Sequence, residues 1–179
     1  MKALLSLAHA IDKINDGFAK FAEWAVLASG FISAANAVIR YSLNLSSNGW
    51  LEIQWYLFAA CVMLGASQVL RVNEHVRVDL LYARYSTRTK VRVDLLGLLL
   101  FLLPVMATML YFSWPLFLDR LNSGEMSQSA GGLIRWPVVL MLPLGFGLLL
   151  LQGLSEMIKR VGWLSGTFDM DTHYDRPLQ

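Results

Sequence analysis

A chain of 179 residues is long enough for one domain of ordinary size, yet 56% of it is hydrophobic and only 16% charged. Soluble domains carry about 25% charged residues, so a water-soluble globule is excluded. The net charge of +2 is parcelled out between apolar blocks and not gathered into a stripe, which argues against a nucleic-acid partner. The single Cys61 excludes a disulfide framework within the chain.

In chain order, Leu4, Leu7, Ile11, Ile14, Phe18 and Phe21 recur every three or four residues, predicting an amphipathic helix that leads into a membrane. Ala8-His9-Ala10 imitates a signal-cleavage site, but the apolar run before it is too short for a signal peptide. The N-terminus is therefore expected to stay in the mature protein. Four apolar blocks follow, at about residues 21–39, 53–70, 95–117 and 136–154. Each is close to the roughly 20 residues that a helix needs to cross the hydrocarbon core. The expected fold is all-α, an integral membrane protein of four helices forming one domain over residues 1–179, with a C-terminal tail over 155–179.

Small residues mark where helices can approach closely. Ser29, Ser33 and Ala37 lie four apart in the first span, with Gly30 and Ala34 beside them; Cys61 and Gly65, then Ala66, repeat the pattern in the second. Pro104 and Pro143 each remove a backbone donor, so bends are expected there. Lys and Arg concentrate in the N-terminal segment, between spans two and three, and in the tail, leaving Arg40, Arg120 and Arg135 for the other side. The positive-inside rule then puts both termini in the cytoplasm. Trp50, Trp55, Trp114 and Trp136 lie at the opposite ends of the spans and mark the outer interface.

Between spans two and three, Arg77, Arg84, Arg88 and Arg92 share one helical face, while Val78, Leu81, Tyr82, Tyr85, Thr89 and Val93 share another. The pattern predicts an interfacial amphipathic helix over about residues 76–93, its arginines near anionic headgroups. The run Gly124 to Gly132, with Ser123, Ser127 and Ser129, reads as a flexible outward loop.

The run Glu52-Ile53-Gln54-Trp55-Tyr56-Leu57-Phe58, then Leu64-Gly65-Ala66, then Asn73-Glu74-His75-Val76-Arg77-Val78-Asp79 resembles the small membrane subunit of tripartite ATP-independent periplasmic (TRAP) transporters. Trp136-Pro137 and Leu142-Pro143-Leu144-Gly145-Phe146 look like that family's last helix, so the likeness covers most of Glu52 to Gln152. The resemblance implies a bacterial inner-membrane importer of organic acids, usually sodium-coupled. A periplasmic binding protein captures the substrate, a large subunit moves it by an elevator-type motion, and the small subunit braces the large one. The wording of these runs is nearest a branch associated with 2-oxo acids and chloroaromatic or related carboxylates.

Candidate partner or lipid contacts are Glu52, Trp55, Gly65, Ala66, His75, Arg77, Asp79, Arg84, Arg88, Ser29, Ser33 and Ala37. Glu52 reads equally as a carboxylate stabilising a helix N-terminus. Glu23 lies close enough to Lys20 to pair with it or to snorkel, which outweighs a proton-carrying role. His75 fits local hydrogen bonding better than pH sensing. No catalytic, cofactor or metal set is expected: His9, His75 and His173 all lie outside the apolar blocks, which argues against a haem-binding bundle. Asp and Glu are absent from the span centres, which argues against a stand-alone carrier, the main alternative beside a membrane assembly factor.

Overall fold

The computed structural model describes residues 1–45, 47–73 and 84–169. Helix α1 spans Lys2–Leu43, α2 Asn48–Val72, α3 Thr87–Gly97, α4 Leu103–Ser123 and α5 Trp136–Leu164. A π-helical turn, Leu98–Leu102, joins α3 to α4, so Thr87–Ser123 forms one long unit. Four helical units are long and apolar enough to cross a membrane, as the hydropathy predicted.

At 1.5 Å per residue, α1 is about 63 Å long, far longer than its apolar block. Its early stretch carries an inverted pattern. Ala8, Ile11, Asp12, Asn15, Ala19, Ala22 and Ala25 are buried, whereas Leu4, Leu7, Ile14 and Phe21 are exposed. Small and polar side chains thus meet the bundle together with Ile11 and Phe18, while Leu4, Leu7, Ile14 and Phe21 of the apolar repeat face outward. Lipid is as apolar as leucine, so side chains of this kind gain nothing by turning inward.

α5 is the central helix, packing against α1, α2 and α4, while α1 packs most extensively on α2. The apolar core is small: Ala22, Ala25, Ala60, Leu64 and Leu148, with Phe18, Leu57, Met141 and Leu144 against it. Close approach is bought by glycines on α5. A Cβ at Gly145 would stand 2.7 Å from the Met63 carbonyl oxygen, and one at Gly153 2.6 Å from Leu102 Cδ2. Gly65 meets Ala22 Cβ at an ordinary 3.6 Å, and Gly30 meets nothing. Ser29 turns inward to donate to the Gln54 carbonyl (3.3 Å), but Ser33 and Ala37 stay exposed.

Two boundaries differ from those expected. Within the predicted 76–93 helix, Arg84 and Tyr85 lie in a turn and bend, and Ser86 caps a new helix at Thr87 by accepting from Thr89 N–H. This helix runs on into the third span and is no separate interfacial element; the part over residues 76–83 lies outside the described residues. Residues 155–164, expected to start a tail, are the last turns of α5. At Pro104, the chain shifts register: Leu103 N–H donates to Leu98 O, five residues back, just before the residue that has no N–H to give. Pro115 also lies inside a helix, a position the sequence reading passed over.

Candidate functional site

Two polar assemblies stand out, one at each end of the bundle. At the end where α1 begins and α5 finishes, the largest fully buried side chains among the described residues are Gln152, Asn15, Ser67 and Ser155, all polar. Soluble interiors are filled by large apolar residues, so this end is organised by hydrogen bonds. Gln152, Ser155, Glu156 and Lys159 fall on one face of α5, at spacings of three and four. Opposite them, Asp12 and Asn15 are one turn apart on α1.

The amides orient one another. Asn15 Nδ2 donates to Gln152 Oε1 (2.6 Å), and Gln152 Nε2 donates to Asp12 Oδ1 (3.0 Å) and Glu156 Oε1 (3.2 Å). Ser155 donates to Asp12 Oδ1 at 2.9 Å and to the Ala8 carbonyl at 3.2 Å. Lys159 Nζ sits 2.7 Å from Asp12 Oδ2 and 2.9 Å from Glu156 Oε1. Arg160 pairs with Glu156 at 2.5 Å and with Asp94 of α3 at 3.6 Å. Arg71 of α2 pairs with Asp16 and donates to the Asp12 carbonyl (3.3 Å). Every helix except α4 is thereby tied into one network. Buried charges persist only when paired and hydrogen-bonded, and here cations already occupy the carboxylates. The arrangement holds helices together; it offers little to a transported ion.

At the other end, residues 124–135 fold as a hairpin. Ser127 N–H donates to Leu133 O (2.9 Å), Arg135 N–H to Glu125 O (2.9 Å), and Met126 bridges Ile134. Gly124 and Gly131 have φ of 60° and 72°, the left-handed region that glycine enters without strain. Glu52 is the clamp. One of its carboxylate oxygens accepts from Ser127 Oγ and the other from Leu133 N–H (2.7 Å). Tyr56 donates to Ile134 O (3.0 Å) and Asn48 to Ala130 O (3.0 Å). Glu125 pairs with Arg120 and Arg135. Composition suggested a loose connector, but these contacts make it a docked element. Exchanging Glu52 for glutamine removes the double acceptor and leaves an NH₂ facing a donor. Amide exchange at Leu133 is expected to quicken, and an unchanged protection factor there would contradict the clamp.

The expected contact residues do not converge on one place. Glu52 is buried under the hairpin; Trp55 on the same helix is 70% exposed. Gly65 and Ala66 are half-buried, while Arg84 and Arg88 are exposed. His75, Arg77 and Asp79 lie outside the described residues. Glu23 is exposed on α1. Among the described residues, no group of three or more His, Cys, Asp or Glu side chains is placed to hold a metal ion.

Sequence reasoning missed Asp12, Asn15, Gln152, Ser155 and Glu156, and read Lys159 and Arg160 only as orienting charges. The three- and four-residue spacing of the polar residues on α5 was the available signal.

The comparisons with curated proteins and with solved structures each found no match. A family model described as "Tripartite ATP-independent periplasmic transporters, DctQ component" matches residues 30–162. That range takes in α2 to α4, the hairpin and almost all of α5; the Asp12 and Asn15 side of the network precedes it. The chain therefore belongs to the DctQ-component family of tripartite ATP-independent periplasmic transporters.

Proposed function

We propose that this chain is the non-catalytic small subunit of an ion-gradient-driven importer of organic acids, bracing a larger subunit that moves the substrate. A periplasmic binding protein delivers the substrate, and sodium is the coupling ion. The observation that carries this reading is the network between the start of α1 and the end of α5: its carboxylates are engaged by Lys159, Arg160 and amide or hydroxyl donors, leaving a rigid support without a carrier site. Rigid elements suit a brace, because a partner that moves needs a fixed surface to move against.

The distribution of Lys and Arg supports placing both termini in the cytoplasm of a bacterial inner membrane. On that orientation the Glu52-clamped hairpin faces the periplasm, where the binding protein docks. Exposed Ser33 and Ala37 on α1 and exposed Trp55 on α2 contact the large subunit or lipid, and Arg84 and Arg88 contact headgroups. His75, Arg77 and Asp79 belong to the same proposed set from the sequence alone.

Co-expression with a large membrane subunit of a tripartite ATP-independent periplasmic transporter from the same genome tests the assignment. An affinity tag on this chain should retain that protein through size-exclusion chromatography. Elution of this chain alone, from membranes that contain both, would contradict the reading.

A further inference from the structure

The register between helices sets the depth of each residue on α1. A Cβ on Gly65 would stand 3.6 Å from Ala22 Cβ, Met63 packs on Gly145, and Asn15 bonds to Gln152. Gly145 is the midpoint of the apolar block 136–154, and Gly65 falls within one turn of the midpoint of 53–70. Ala22 is therefore level with the middle of the bundle, although it stands near the start of α1's own apolar block, 21–39.

Lys20 and Glu23 flank that position. Both are exposed, and among the described residues neither side chain joins an ion pair or a hydrogen bond, so the pairing expected from their spacing is not made. Two charges thus stand on the outside of the bundle at the depth of the hydrocarbon centre. Snorkelling does not relieve them. Side chains on a helix lean toward its N-terminus, and counting on from the Asn15–Gln152 contact puts Lys13 level with Leu154, where the apolar block of α5 ends. At the α-helical rise that level is about 10 Å from Lys20 and about 15 Å from Glu23, farther than a lysine or glutamate stem reaches.

Charged residues in membrane spans almost always face a bundle interior and pair there. Lys20 and Glu23 line no path within this chain, so the interior they face is that of a larger assembly. The surface around them fits a helix. Trp24, Leu27 and Phe31 continue the same face and are 72%, 63% and 75% exposed. One turn before Lys20, a Cβ on Gly17 would meet nothing within 4 Å, which leaves room for a second backbone. A lipid covers the apolar part of this face but keeps its charged headgroup at the edge of the bilayer. A second copy of this chain, related by a two-fold axis along the membrane normal, sets Lys20 against Lys20 and Glu23 against Glu23 at equal depth.

We infer that this face of α1 is the seat of a transmembrane helix from the larger membrane subunit, one that presents a carboxylate level with Lys20 and a basic or amide side chain level with Glu23. The inference deepens the proposed function and rests on it. Both residues precede the matched range 30–162, so the contact is not one that the family match describes.

To test it, the chain is co-expressed with the large subunit, and a photo-activatable phenylalanine analogue replaces either Trp24 or Phe112. Phe112 is 67% exposed on α4 and lies near the same depth, because Leu102 of α4 meets Gly153 of α5. Irradiated native membranes should give a crosslink to the large subunit from position 24 and none from position 112. The double variant Lys20→Met, Glu23→Leu should stay folded by circular dichroism and lose retention of the large subunit by at least about tenfold, as truncating desolvated charge pairs does. If the double variant does not fold, the crosslinks decide. With the complex retained, a crosslink from position 24 that is absent, joins two copies of this chain, or is no stronger than that from position 112 overturns the inference. Unchanged retention by the folded double variant does the same, and the partner reading stands in each case. A wild type that retains no large subunit sinks the partner reading, and the inference with it.

Discussion

Replacing Lys159 with methionine should destabilise the folded chain by about 3 to 5 kcal/mol, the usual range when one partner of a buried ion pair is removed. Methionine preserves length and apolar stem, so the change isolates the ammonium. That ammonium lies between Asp12 of α1 and Glu156 of α5, with side-chain exposures of 11%, 10% and 7%. Without it, Glu156 keeps Arg160, but Asp12 is left with only Gln152 and Ser155. Converting Asp12 to asparagine in the same chain should restore part of the loss, because the uncompensated charge disappears; coupling between contacting residues runs about 0.5 to 3 kcal/mol. Reversible unfolding in mixed micelles, followed by circular dichroism, measures both. A loss below about 1 kcal/mol, the size seen for solvent-exposed pairs, would mean that the network is surface decoration.

The second large effect is steric. Gly145→Leu on α5 places a Cβ 2.7 Å from both the carbonyl oxygen and Cε of Met63. The Met63 side chain can swing away, but its backbone can do so only if α2 moves. Overpacking of a tight contact costs about 1 to 3 kcal/mol, and here it separates two helices that both pack into the core. Gly147→Leu, two residues on, meets nothing within 4 Å. It should be neutral or slightly stabilising, since glycine is a poor helix former by about 1 kcal/mol. Equal melting temperatures for the two variants would show that α2 and α5 are not in close contact.

The contrast between these glycines explains what was legible beforehand. The four spans could be read because the lipid imposes the same requirement on every segment, a run of apolar residues of fixed length. Which face of a span turns inward could not, because hydropathy is nearly uniform around each one. Ser29, Ser33, Ala37 and Gly30 form a convincing stripe, yet only Ser29 turns into the bundle, and the closest approaches fall at Gly145 and Gly153. The apolar repeat from Leu4 to Phe21 announced a helix leading into a membrane, but it carried no sign of which side chains between its members meet the bundle. Asp12 and Asn15 passed unnoticed, yet they are buried. Glu52 stood out in the sequence, but its partners are a hydroxyl and a backbone N–H more than 70 residues away. Such contacts are set by tertiary structure and leave no local pattern.

The proposed role as a brace with no transport activity of its own is tested most directly by uptake in reconstituted vesicles. This chain alone should give no uptake of any organic acid under a sodium gradient. Uptake should appear when the large subunit and the binding protein are added, and should fall when this chain is left out. Gradient-driven uptake by this chain alone would contradict the account.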